Sequence, residues 1–390
     1  MTEDEFARSV REAGGRAFIA GGWARDKLRG VVPRDRDYVV AGLAEDIFSA
    51  VFPGAKRVGR GFPVYLLEVG GDMCEVAFAR REKKTGPGYR GFEISAHPDI
   101  TIEDDLYRRD TTMNSMAESL ETGALIDPWG GARDIGRRVV RATSEHFSDD
   151  PVRALRAARQ AAQFGYAIEP GTMRMMEKCR EELAFEPGER RTNELRAALA
   201  CDVPSVFFRS LREAGILGAA YPQIASLAET RADARPHPEG GAFERAMQTL
   251  DRAAGMTART EVRFAALALG LGRAALREWN AGTPLPSCWM RCAEFAITER
   301  ARIPRIREPR EIAAFMERIR NHPIGLDGIA AIVGACACGM PPFLERAPKL
   351  AEAMREVTGD SIPDDLKGPA RGEWLRERKT ESVARAMSVI

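Results

Sequence analysis

Four short apolar runs punctuate the first 120 or so residues: RAFIAGG, DYVVAG, VYLLEV and CEVAFAR. Each has the length of a strand, and CEVAFAR alternates polar and apolar positions with the period of two that marks a half-buried strand. Between the first two runs lies WARDKLRG, a set of helix formers closed by glycine. The mixture predicts a small α/β or α+β unit built on a sheet. From about Ser148 the period lengthens. DDPVRALRAARQAAQFGY opens with Asp-Asp, carries proline in its first turn and ends at Gly165, the start and stop signals of a helix. PGTMRMMEKCREELAF, NELRAALA, VFFRSLREAGIL, FERAMQTLDRAAGM, VRFAALALGLGRAALREW and REIAAFMERIR continue in helical period. No strand-like alternation of any length follows Arg141, and AGTPLPS and HPIGLDG read as loops between helices. An N-terminal sheet domain followed by a long helical body is expected, with no internal repeat.

Composition narrows the class. The chain has 390 residues, 44% apolar and 29% charged, which suits a globular protein of more than one domain. No apolar run approaches the roughly 20 residues that span a bilayer, and the acidic start MTEDEFARSV is unlike a secretory signal. Seven scattered cysteines argue for reduced thiols in the cytoplasm rather than a disulfide framework. CWMRC and CACG have no matching pair at zinc-site spacing.

The candidate chemistry begins in GGWARDKLRGVVPRDRDYVV, Gly21 to Val40. Asp35 and Asp37 are two residues apart beside a strand, so their side chains share a face. Two like charges this close repel unless a cation lies between them. Either PRDRD is a turn with solvated charges, or the pair holds a divalent metal. The Gly-Gly turn before it lets backbone approach a ligand and offers N–H donors to phosphate, and Arg25 adds a charge-assisted contact. Two carboxylates holding Mg²⁺ beside a triphosphate fit nucleotidyl transfer. Such sites use a third carboxylate from a neighbouring strand, for which Glu75 is the candidate.

Net charge is only +1, yet basic charge is concentrated. RREKKTGPGYRG, Arg80 to Gly91, has five basic residues against one acidic, and Gly131 to Gln160 has seven arginines. Arginines flanking a metal site point to a phosphate substrate, although solvated helix arginines also produce such runs.

Four stretches in order, GGWARDKLRGVVPRDRDYVVAG, EDDLYRRDTTMNSMA, DDPVRALRAARQAAQFGY and ERRTNELRAAL, resemble the class II tRNA nucleotidyltransferases, the bacterial CCA-adding enzyme and poly(A) polymerase family. They cover about the first 200 residues. The resemblance implies an α+β fold: a polymerase-beta-like mixed-sheet catalytic head over 1–140, a helical neck over 141–200 that recognises the base, and a helical body and tail over 201–390 that bind tRNA. It implies that Asp35 and Asp37 hold Mg²⁺ and that Gly22 and Arg25 meet the triphosphate. Arg109 would bind the nucleotide, Asp110 would place the ribose and Asn114 would support that turn. Asp150 and Arg153 would pair with the Watson–Crick edge of CTP or ATP, because a carboxylate accepts from the amino group that both C and A carry. Arg156 and Arg159, at three-residue steps on the same helix, would hold phosphates or orient Asp150. RREKKTGPGYRGF resembles the mobile loop of enzymes able to add the final A.

The second half departs from relatives that carry a His-Asp phosphohydrolase domain. Around 235–275, His237 is followed by Arg245 where a second His is expected, and Leu269 and Gly270 stand where the His-Asp pair would be. Only four histidines occur in the chain. This region is expected to be helical, to bind RNA and to lack hydrolase activity. The expected partners are tRNA, CTP and ATP, without a membrane or an obligatory protein. Addition of A alone, poly(A) synthesis and a catalytically inert RNA-binding module remain as alternatives, the last disfavoured by the intact aspartates and arginines.

Overall fold

The computed structural model describes residues 1–33, 36–58, 63–86, 88, 91–229, 241–336 and 339–388. Asp35, His237 and part of the loop at 87–90 therefore lie outside the described residues. The chain divides into two compact units, Met1–Glu194 with Val206–Ala220, and Leu195–Ser205 with Tyr221–Ile390.

The first unit opens with α1 (Glu3–Glu12), β1 (Arg16–Ala20), α2 (Gly22–Leu28), β2 (Asp37–Ala41) and α3 (Glu45–Val51). Then come β3 (Lys56–Val58), β4 (Val64–Val69), β5 (Asp72–Phe78), β6 (Arg81–Lys84), β7 (Phe92–Ser95), α4 (Ile102–Tyr107), β8 (Ala117–Ser119) and β9 (Leu125–Ile126). Seven strands form one sheet in the order β3-β4-β5-β2-β1-β8-β9. Only β2 and β5 run parallel; the other neighbours are antiparallel. The sheet is mixed, as the family resemblance implied.

Burial on both faces explains why β1 and β2 read as unbroken apolar runs. Ile19, Tyr38, Val40, Val76 and Phe78 pack with Phe6, Phe48 and Tyr65 on one face. Phe18, Ala20, Val39 and Ala41 pack with Ile102 and Leu106 on the other. The residues of β6 and β7, where a loop was expected, form an antiparallel hairpin of their own.

Helices follow: α5 (Gly131–Arg137), α6 (Val152–Phe164), α7 (Pro170–Lys178), α8 (Arg180–Ala184) and α9 (Gly188–Leu199). Gly165 ends α6 at φ 66°, the left-handed cap that its sequence position predicts. Two two-residue strands, β10 (Val139–Val140) and β11 (Ala167–Ile168), pair in parallel, so a short strand does follow Arg141. Two residues are too few to leave a period in the sequence.

Next come α10 (Ser205–Glu213) and α11 (Leu217–Ala220), which apart from Ser205 belong to the first unit. The described residues of the second unit form helices joined by loops, with no strand among them, and include α12 (Pro222–Glu229). Then come α13 (Ala242–Met256), α14 (Thr260–Ala268), α15 (Gly272–Gly282), α16 (Ser287–Glu299), α17 (Pro309–Arg320), α18 (Gly325–Ala335), α19 (Pro342–Glu345), α20 (Ala347–Arg355) and α21 (Pro369–Ser388). VRFAALALGLGRAALREW is two helices rather than one: the chain turns at Gly272, whose φ of 77° suits glycine. Phe264 stacks on Trp289 at 5.0 Å and meets Trp279 edge-on at 5.4 Å, forming an aromatic core. Arg245 lies on α13, and Leu269 and Gly270 follow the end of α14. No described helix is long and apolar enough to cross a membrane.

Candidate active site

A cleft of about 690 Å³ in the first unit collects Gly22, Arg25, Asp37, Glu75, Arg109, Asp110, Asn114, Asp150, Arg153 and Arg156. These residues span more than 130 positions of chain. Arg159 is not among the lining, and Asp35 lies outside the described residues.

The acidic end is set by strand register. Asp37 and Glu75 are Cα partners across the parallel β2–β5 pair, and both are exposed. Cys74, Val76 and Phe78 point to one core, so alternation sends Glu75 to the same face as Asp37 and Val39. Asp35 is two residues before Asp37. Among the described residues no three His, Cys, Asp or Glu side chains gather as a metal group.

The Gly-Gly turn leads into α2. Gly21 has φ 75°, and a Cβ there would stand 2.9 Å from Arg109 Nη1. Glycine thus serves both the backbone angle and the close approach of an arginine. Arg25 donates to Asn114 Oδ1 at 2.7 Å and to both oxygens of Asp26 at 2.9 Å, with its guanidinium 4.9 Å from the Phe164 ring centroid. Arg109 donates to Asp105 Oδ2 at 3.2 and 3.0 Å. Asp105 is buried, which alone would raise its pKa, but Arg108 and Arg109 hold it below the usual carboxylate range.

Asp110 is the deepest carboxylate of the cleft, only 5% exposed. It accepts from Thr111 N at 2.8 Å, Asn114 Nδ2 at 3.0 Å, Arg156 Nε at 2.7 Å and Gln160 Nε2 at 3.1 Å. Burial would raise its pKa; the Arg156 charge and the donated hydrogen bonds outweigh that and lower it well below the usual range. Arg156 is thus paired with Asp110, and Asp150 is near enough to act on its charge. Arg159 donates to Glu194 Oε2 at 2.6 Å and to Gln163 at 2.8 Å; Glu194 lines the cleft and Arg159 stands behind it.

Asp150 and Arg153 come together at the start of α6, where Arg153 N donates to Asp150 O at 3.0 Å and the two side chains take different partners. Asp150 accepts from Arg190 of α9 at 3.1 and 2.8 Å. Arg153 donates to His146 O and approaches Glu82 Oε2 at 3.6 Å. Glu82 also takes Arg80 at 3.0 Å and Arg108 at 2.7 Å. Arg190 and Glu82 were not singled out from sequence. The signals were the one acid within the basic run RREKK, and the four-residue spacing of Arg190 and Glu194, which places them on one side of a helix.

A mixed sheet that presents in-register carboxylates beside a nest of arginines has the form of a nucleotidyltransferase head. Comparison with known proteins agrees. Residues 17–141 match the family model of the poly A polymerase head domain, and 165–227 match the probable RNA and SrmB-binding site of polymerase A. The multifunctional CCA protein of Methylococcus capsulatus is 37% identical over 95% of both chains. That of Nitrosococcus oceani is 42% identical over 67% of this chain and 64% of its own. The structure of the Bacillus stearothermophilus CCA-adding enzyme in complex with CTP is similar in fold at 24% identity and TM-score 0.73, covering 98% of this chain and 92% of that one. The chain belongs to the class II tRNA nucleotidyltransferase family, that of the CCA-adding enzymes and poly(A) polymerases.

Proposed function

We propose that this protein completes or repairs the 3′-terminal CCA of tRNA, adding C and A from CTP and ATP without a nucleic-acid template. The observation that carries the reading is the pairing of Asp37 with Glu75 at a cleft that also contains Asp150 and Arg153.

The donor set fits Mg²⁺, since Asp37 and Glu75 offer hard oxygen ligands from adjacent strands and Asp35 belongs to the same acidic pair. When bound, Mg²⁺ would lower the pKa of the attacking 3′-hydroxyl and neutralise charge on the triphosphate. The chain's own groups do the rest. Arg25 and Arg109 take triphosphate oxygens, each held by a carboxylate that limits its motion. Asp110, kept anionic, helps place the ribose through Asn114 and Arg156, which it holds. Asp150 accepts from the amino group of C or A, and Arg153 donates to ring nitrogen or carbonyl oxygen. In-line attack on the α-phosphate then proceeds by positioning and electrostatics. Head 1–140 and neck 141–200 supply this site; the helical residues from 201 bind RNA phosphates, so affinity falls with salt. Such an enzyme works in the cytoplasm, where its substrates are.

The test is incorporation at single-nucleotide resolution, with one tRNA transcript lacking CCA and one ending in CC. CTP and ATP are supplied singly and together. Extension of the first by CC and then A is expected. Extension only of the second by one A would make this an A-adding enzyme, and a long A tract would make it a poly(A) polymerase. Binding without incorporation would leave only an RNA-binding module.

A further inference from the structure

The carboxylate assigned to base reading is occupied in a particular way. Its Oδ1 accepts from Arg190 Nη1 at 3.1 Å and from Val152 N at 3.1 Å. Its Oδ2 accepts from Arg190 Nη2 at 2.8 Å. A carboxylate oxygen has two acceptor sites, so Oδ1 is saturated and Oδ2 keeps one. The side chain is 19% exposed and lines the cleft, so that remaining site is open to a ligand.

We propose that Arg190 is a positioning residue for nucleobase selection, clamping Asp150 so that one acceptor direction on Oδ2 is left for the exocyclic amino group of the incoming base. The inference rests on the reading that Asp150 faces the base. Two features of the clamp make it more than a strap between helices. An arginine only donates, so a bidentate contact requires both carboxyl oxygens to be acceptors. An acceptor matches the amino groups of C and A and meets an unfavourable carbonyl oxygen on U and G. The clamp is itself held: Arg190 Nη1 also donates to Glu186 Oε1, four residues earlier. Glu186 is 3% exposed, and its other oxygen has no hydrogen-bond partner. A buried carboxylate half satisfied is costly, and here its one ordered contact is with the residue that holds Asp150.

The test compares Arg190→Gln, Arg190→Lys and Asp150→Ala with the unaltered enzyme. It measures incorporation of each of the four nucleoside triphosphates, the KM for CTP and the melting temperature. Glutamine can present a carbonyl to Asp150 and no longer fixes both oxygens. Misincorporation of UTP and GTP relative to CTP and ATP is expected to rise about 10-fold or more, the scale of a lost bidentate discrimination, with KM affected more than kcat. Lysine, which donates to one oxygen at a time, should fall between the two and guards against a glutamine variant that folds poorly. If Arg190→Gln lowers incorporation of all four nucleotides by one factor, or only lowers the melting temperature, the clamp is structural and the proposal fails. If Asp150→Ala leaves base choice unchanged, the base-reading role itself fails. If Asp150→Ala relaxes choice while both Arg190 variants keep it, only the role of Arg190 falls.

Discussion

Asp37 and Glu75 are register partners across the one parallel strand pair of the seven-stranded sheet. Neighbouring strands lie about 4.8 Å apart, so two carboxylates with the same parity repel at close range. A shared divalent ion would relieve that repulsion. Replacing either acid should cripple transfer while sparing RNA binding. For Glu75→Gln a loss of about 10²-fold or more in kcat is expected, partly recovered as the Mg²⁺ concentration is raised; Asp37→Ala and Asp35→Ala should show no recovery. Titration of Mg²⁺ in single-turnover incorporation reads this directly. Full activity of Glu75→Gln at low Mg²⁺ would make Glu75 a bystander.

Asp110 couples the site to stability. Its pKa is depressed in the folded state, because Arg156 and the surrounding donors outweigh burial. A depressed carboxylate contributes stability above its unfolded value, near pH 4, which is lost as pH falls towards the folded value. Asp110→Asn would turn an amide towards Arg156, Asn114 and Gln160, which already donate to it. A cost of about 3 kcal/mol at pH 7 is expected, at the low end for a broken buried pair because Arg156 can turn to solvent. Urea unfolding of both proteins at several pH values should show the gap closing below about pH 4. A gap independent of pH would mean that packing, not charge, accounts for it.

What the sequence disclosed depends on how far apart the interacting residues lie. The apolar runs and the Gly165 stop are local, and the strands and α6 stand where period and capping put them. The in-register match of Asp37 with Glu75 needed only parity and the guess that their strands adjoin. The Arg190–Asp150 contact joins residues 40 apart; the family resemblance marks Asp150, whereas Arg190 reads as an ordinary helix charge. Arg156 and Arg159 look alike in sequence, three residues apart. Only the fold turns one towards Asp110 in the cleft and the other towards Glu194. The GLG break was hidden because apolar residues flank it on both sides.

The β6–β7 hairpin is tied down at its tip. Lys84 Nζ donates to Glu182 Oε1 at 2.5 Å, and Gly88 N donates to Glu182 Oε2 at 3.1 Å. The ion pair is partly exposed, 24% and 34%, so its loss should cost less than about 1 kcal/mol. Its effect should instead be on the reaction. Lys84→Ala is expected to slow addition of A to a CC-ending transcript several-fold more than addition of C to a shorter one. An equal fall in both steps would detach the hairpin from the final addition.

In the second unit, Arg263 of α14 is 5% exposed and donates to four carbonyl oxygens. It donates to Thr257 O at 2.6 Å, Leu199 O at 2.7 Å, Cys201 O at 2.8 Å and Ala254 O at 2.9 Å. Leu199 ends α9, and Ala254 is in the last turn of α13. The last carbonyls of a helix lack intrahelical donors and carry the negative end of its dipole, so a cation between two helix ends satisfies both. Burial lowers the arginine pKa, but the carbonyl cage supplies the partners a buried charge needs. Arg263→Met keeps the bulk and removes every donor, leaving carbonyls unmet at about 1–3 kcal/mol each where water cannot reach. A total loss of about 3–5 kcal/mol is expected, since part of the cage can reopen to solvent. Arg263→Lys should recover less than half, because one ammonium cannot span four carbonyls. Hydrogen exchange should locate the lost protection in residues 195–201 and 251–257. A methionine variant as stable as the parent would show that these carbonyls find other partners, and the arginine would then be dispensable to the fold.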